Sequence, residues 1–193
     1  LDLWVDADPS ETLMDFEELG LLELIIQRGS EALEGLPKEM RKNQEAMAEA
    51  IENNVRRTIV DENPVNPKYY ERMSVLLDEL IDLRRQQAIS YQEYLEKVRE
   101  LAKQVKYPQS HSQSAYPESI DTAAKRALYD NLGKDELLVA RIDTAVRYTK
   151  KADWYGDRFK EREIAFAIAE ETKGYDVTVA EVMELVKAQQ EYH

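Results

Sequence analysis

The sequence predicts an all-α protein, a multi-helix bundle with room for two packed helical subdomains. Two observations carry that prediction. Apolar residues recur three and four apart along most of the chain, and strand-like alternation is almost absent. Residues that start and stop helices also fall where this periodicity begins and ends. At 193 residues the chain can bury a core without staples, and it has no cysteine to make one.

The elements follow in order. Residues 1–36 form an acidic helical lead-in, in which Leu13, Phe16, Leu19, Leu22 and Ile26 keep helical spacing up to Gly29 and Gly20 weakens the middle. A long-helix bundle is expected over residues 37–105. Its first helix opens near Pro37, where a missing N–H does no harm, and runs through Met40, Met47, Ile51, Val55 and Ile59. Asn66 before Pro67 is a cap followed by a first-turn proline, and it launches a helix with Tyr69, Met73, Leu76, Leu80 and Leu83 as its apolar seam. Ser90 with Glu93 reads as a capping box that opens a further helix carrying Tyr91, Tyr94, Leu95, Val98, Leu101 and Val105. These last two helices make an antiparallel hairpin if the chain reverses at Ser90, and one bent rod if it does not. Tyr69, Tyr91 and Tyr94 fall on the seams and read as core residues with hydroxyls at the rim.

Residues 106–120 are rich in Ser, Gln and Pro and form a linker. A subdomain of shorter helices follows over 121–193, with helices near 121–132, 134–151, 158–173 and 178–191. Gly133 and Gly174 serve as stops, and Thr178 with Glu181 as a second capping box.

The formal charge of −13 argues against a surface that grips nucleic acid everywhere. That charge is unevenly spread. Residues 1–36 hold ten acids and one base, whereas Arg141 to Arg162 holds seven bases and four acids. Within that stretch Arg147, Lys150, Lys151, Arg158, Lys160 and Arg162 surround Trp154, a mixture of cations and aromatics common on binding surfaces. These seven residues are the candidate contact site for a partner protein or DNA. The doublets Arg56-Arg57 and Arg84-Arg85 read more plainly as surface ion pairs, for example Asp82 with Arg85.

Catalytic signatures are lacking. The six glycines are scattered and form no phosphate-binding loop. His111 lies in the linker and His193 is the last residue, and neither has a carboxylate at metal-ligand spacing. Glu171-Thr172-Lys173, with Asp157 or Asp153, weakly resembles half of a Mg²⁺ nuclease site, but a solvated helix end is the plainer reading. No catalytic, cofactor or metal residue is therefore assigned. The absence of cysteine and of any membrane-length apolar run fits a cytoplasmic protein with no membrane partner. Leu1 in place of an initiator Met gives the expectation of an excised piece of a longer chain.

One long stretch carries a family resemblance. Ile51 to Val98 (IENNVRRTIVDENPVNPKYYERMSVLLDELIDLRRQQAISYQEYLEKV) resembles the C-terminal helical region of the R subunit of type I restriction enzymes. YPESIDTAAKRALYDNLG (Tyr116 to Gly133), DWYGD (Asp153 to Asp157) and LVKAQQEY (Leu185 to Tyr192) extend the resemblance in order over residues 37–192, and residues 1–36 share it less. It implies a parent type I site-specific deoxyribonuclease with an ATP-driven translocase and a Mg²⁺-dependent nuclease upstream in the same chain. ATP and Mg²⁺ would belong to that parent and no cofactor to this piece. The partner implied is the methyltransferase core of modification and specificity subunits. The expected role is thus non-catalytic assembly, docking the motor onto that core, with direct duplex-DNA binding as the alternative. An independent helical enzyme survives only if Glu171 and Lys173 stand beside an acidic metal cluster.

Overall fold

A computed structural model describes residues 22, 23, 25–27, 44–108 and 116–193. The expectations for Leu13, Phe16, Leu19, Gly20, Gly29, Pro37, Met40 and His111 lie outside the described residues. Among the described residues the chain is all-α, with no strand. Its helices are α1 (Gln44–Glu62), α2 (Pro67–Arg85), α3 (Tyr91–Lys106), α4 (Ala123–Asn131), α5 (Glu136–Thr149), α6 (Arg158–Glu171) and α7 (Val179–Ala188), followed by a 3-10 turn (Gln190–Tyr192). Leu22, Glu23 and Ile25–Gln27 are also helical. None of the described helices is long and apolar enough to cross a membrane.

The chain divides into two compact units, each discontinuous in sequence. Unit 1 takes the described residues up to Ile59 together with Met73–Tyr107; unit 2 takes Val60–Arg72 and Pro108–His193. Residues 60–72, which lie inside the expected 37–105 bundle, therefore count with unit 2.

In unit 1, Met47, Ile51, Val55 and Ile59 are buried along α1 at the expected helical spacing. The α2 seam differs from expectation. Met73, Leu77 and Ile81 are buried, while Leu76 and Leu83 are exposed and Leu80 is half-buried. The reason lies at Arg84, next on the buried stripe. Its side chain reaches Glu45 (2.6 Å) and Glu52 (3.1 Å), and Tyr94 donates its hydroxyl to Glu52 at 2.9 Å. A charge paired this way can occupy a buried position, but in sequence it makes that stripe look polar. Tyr94 is accordingly buried to its hydroxyl rather than reaching the rim. Arg56 pairs with Asp78 at 2.7 Å, and the expected Asp82–Arg85 pair is not made.

Between α2 and α3 the chain reverses, with Gln87 at φ +55° and Ala88 N–H closing back onto the Leu83 carbonyl. Leu76 and Leu83 of α2 share a groove with Glu96 and Gln104 of α3, so the pair is a hairpin. Ser90 Oγ accepts from Glu93 N–H at 3.2 Å, whereas the Glu93 carboxylate lies 3.8 Å from Lys97. The expected capping box is therefore half formed.

In unit 2, α4 packs on α5, α5 on α6, α6 on α7 and α7 on α4, which closes a four-helix ring. Its core includes Leu128, Leu138, Ile142, Val146, Trp154, Ile164, Ile168, Val182, Val186 and Tyr192. Each helix starts on a side-chain cap: Thr122, Asp135, Asp157 and Thr178, the last a complete capping box with Glu181. Gly133 (φ +74°) and Gly174 (φ +87°) adopt the left-handed conformation that ends α4 and α6. Asn66 caps α2 through Tyr69 N–H (3.3 Å) and also joins Asp130 and Asn131, each at 2.8 Å. Gln189 donates to the Val65 carbonyl at 2.8 Å. Of the expected linker, Lys106 ends α3, while Tyr116 bonds Asp130 at 2.6 Å and Ile120 lies in the core.

Candidate interaction surface

The basic stretch runs from the middle of α5, through the loop 150–157, into α6. Trp154, read from sequence as a contact residue, is instead a core residue, 2 % exposed, with its indole N–H donating to the Tyr192 carbonyl at 2.6 Å. Most of the cations around it are engaged within the unit. Arg147 bonds Asp143 (2.9 and 3.0 Å), approaches Glu191 (3.4 Å) and lies over the Tyr192 ring at 5.3 Å. Burial disfavours its charge, but the Asp143 bond and nearby negative groups outweigh that and raise its pKa. Lys150 donates to the Glu191 and His193 carbonyls (3.4 and 3.3 Å), and Lys160 to those of Ala152 and Asp153 (2.7 and 3.3 Å). Lys151 pairs with Glu163 at 2.6 Å. Arg158 and Arg162 are exposed and make no ion pair among the described residues, although Arg162 lies over Phe166 at 5.4 Å.

These contacts assemble a latch rather than a phosphate grip. Tyr192 donates its hydroxyl to Asp143 at 2.8 Å and is fully buried, and burial followed by the Asp143 charge pushes its pKa up. His193 places Nε2 2.9 Å from the Lys187 carbonyl and packs its ring on Tyr155 at 4.8 Å. Of the cations that looked free in sequence, Arg147 and Lys150 thus hold the closing turn.

What α5 and α6 offer outward is aromatic. Phe159 is 83 % exposed and Phe166 61 %, while Tyr148 and Leu137 on α5 are exposed to 88 % and 64 %. At about 100° per residue, Phe159 and Phe166 fall two turns apart on one side of α6, with Arg162 between them. The buried Ile164 and Ile168 lie on the opposite side. Two ion pairs link the α5 stretch to α6, Arg141–Glu171 and Lys151–Glu163, the latter from the loop just after α5, each 2.6 Å. Tyr148 sits on α5 between those ties. Sequence reading missed the two phenylalanines. With Ile164 and Ile168 taken as core, their helical positions point to solvent, so the signal was present.

The nuclease-like residues do not converge. Glu171 pairs with Arg141 and Lys173 with Glu170 at one end of α6. Asp157 caps the other end, fourteen positions and about 20 Å away along the axis. The N–H groups of Lys160 and Phe159 there hold its carboxyl below the usual range. Among the described residues no group of three or more His, Cys, Asp or Glu is placed to hold a metal. A cleft of ≈ 1000 Å³ in unit 2 includes Lys68, Glu181 and Lys187. They are engaged with Glu71, Thr178 and Glu161 respectively.

Comparisons with protein-family models, with curated proteins and with solved structures find no match.

Proposed function

We propose that this chain is a non-catalytic helical assembly module, the C-terminal part of a type I restriction R subunit that docks its motor and nuclease onto the methyltransferase core. The carrying observation is the outward side of α6, where Phe159 and Phe166 stand exposed on either side of Arg162, which makes no ion pair among the described residues. Clustered exposed aromatics beside arginine suit a desolvated protein contact. Engaged lysines suit phosphate binding poorly, because affinity for duplex DNA grows with the number of cations free to displace counterions. The ordered resemblance over residues 37–192 supplies the parent and the partner.

The test is a Phe159→Ser, Phe166→Ser double variant, with Arg162→Ala beside it, in the parent subunit. Assembly with the methyltransferase core should weaken at least about tenfold while helicity and unfolding midpoint stay unchanged. Wild-type assembly by a folded double variant would discard the face. Arg147 and Lys150 are poor probes, since their internal contacts would confound stability with binding.

Direct duplex-DNA binding is the second reading, favoured only by the exposed guanidinium groups of Arg158 and Arg162. A salt series on the chain separates the two. Binding that falls steeply with salt and is lost in an Arg158→Ala, Arg162→Ala variant would favour DNA over protein.

A further inference from the structure

We propose that the groove between α2 and α3 in unit 1 receives a basic amphipathic helix from a partner protein. Its floor is apolar: Leu76, Leu80 and Leu83 recur at spacings of four and three along α2, and Leu101 of α3 meets them. Its volume is ≈ 390 Å³, within the range of binding clefts. The leucine stripe is separate from the core stripe of the same helix, which is already filled by Met73, Leu77 and Ile81. Leu80 on the second stripe is half-buried against Leu101, while Leu76 and Leu83 stay 36 % and 38 % exposed.

The rim selects the sign of the occupant. Glu79, Glu96 and Glu100 stand around the floor against one cation, Lys97. Glu100 is paired with Lys103, Glu96 lies at 3.9 Å from Arg99, and Glu79 makes no ion pair among the described residues. A helix laid in a groove anchors through residues at i, i+3, i+4 and i+7 and turns its flanks to the rim. Leucines on the stripe and lysines or arginines on the flanks would match this one. Residues 1–21 carry seven acids and no base, a charge that does not suit an acidic rim. A second copy, at −13, is disfavoured in the same way. The inference stands on unit 1 alone, whether or not the α5–α6 face contacts a methyltransferase.

Fluorescence anisotropy with three labelled peptides of about 18 residues, long enough for a marginal helix, tests it on the full chain. One carries a leucine stripe with lysine flanks. The second has the same composition scrambled to destroy the stripe, and the third has glutamate in place of lysine. The first should bind at least about tenfold tighter than either control. Leu80→Asp should remove that preference in a protein that circular dichroism shows still folded. Because the new carboxylate would itself attract a basic peptide, a loss reports the apolar contact. Should Leu80→Asp not fold, the more exposed Leu76→Ser gives the same readout. Equal binding of the scrambled peptide, or an unchanged preference in a folded variant, overturns the proposal. So does a photo-crosslinker at position 80 that captures residues 1–21 or a second copy in the free protein.

Discussion

The two units solve one electrostatic problem with the same three groups, arranged differently. In unit 1, Tyr94 donates to Glu52, Arg84 pairs with that carboxylate, and the guanidinium lies 5.5 Å over the tyrosine ring. In unit 2, Tyr192 donates to Asp143, Arg147 pairs with it, and the guanidinium lies 5.3 Å over the ring. The first triangle draws one residue from each of α1, α2 and α3, and its ion pair is almost wholly buried, at 8 % and 7 % exposure. In the second, carboxylate and arginine are neighbours on one helix, the arginine is 39 % exposed, and only the tyrosine comes from elsewhere. Identical chemistry therefore joins three helices in one place and fastens a chain end in the other. Burial, more than the list of bonds, sets what each triangle contributes.

Breaking the buried triangle should give the largest effect. Glu52→Ala leaves Arg84 to the exposed Glu45 carboxylate and the Tyr94 hydroxyl without its acceptor, and should cost about 3–5 kcal/mol in denaturant unfolding, with faster amide exchange in α1, α2 and α3. A cost under about 1 kcal/mol would show the pair behaving as a surface bridge. Asp143→Ala should cost less, about 1–3 kcal/mol, because Arg147 can turn to water while Tyr192 loses its acceptor. If the two variants are equally destabilised, burial is not what separates the triangles. Thr178→Ala removes the cap of α7 and should cost about 1 kcal/mol, measured as a lowered unfolding midpoint that Thr178→Ser largely restores.

The smallest effect is expected in acid. Backbone N–H groups hold Asp157 below its ordinary 3.8, the Lys187 bond followed by the Gly156 N–H holds Glu161 below 4.5, and Thr178 holds Glu181 below 4.5. Folding favours their charged forms, so this contribution is full above pH 4.5 and fades as pH falls below 3.8 through the lower folded values. Thermal midpoints should decline over that window, and Glu181→Gln should flatten the decline. An identical acid slope in that variant would remove Glu181 from the account.

Helix boundaries were legible because they are written in local chemistry. Asn66 before Pro67, Ser90 before Glu93 and Thr178 before Glu181 all sit at observed starts. Which face of α2 turns inward was not legible, because two apolar stripes compete on that helix. The buried one ends in Arg84, whose partners lie 39 and 32 positions away in Glu45 and Glu52. Trp154 misled for a related reason. Its basic neighbours suggested a surface, yet their partners at Glu191 and His193 come from the far end of the chain. The phenylalanines of α6 were overlooked although their angular positions were computable. Local signals survive in sequence, whereas the pairing of a charge does not.

The interleaving of the two units bears on how the chain is made. Val65 must find Gln189, 124 positions later, and Asn66 must find Asp130, 64 positions later. At ribosomal speeds the first interval lasts on the order of ten seconds. During it α2 can form while the Val65 carbonyl and the Asn66 amide still face water. A truncation ending at Tyr107 would keep that condition permanently, leaving residues 60–72 without Asp130, Asn131 and Gln189. Two halves produced separately from a cut in the linker are thus not two domains, and co-expression would be needed to let the second supply what the first lacks.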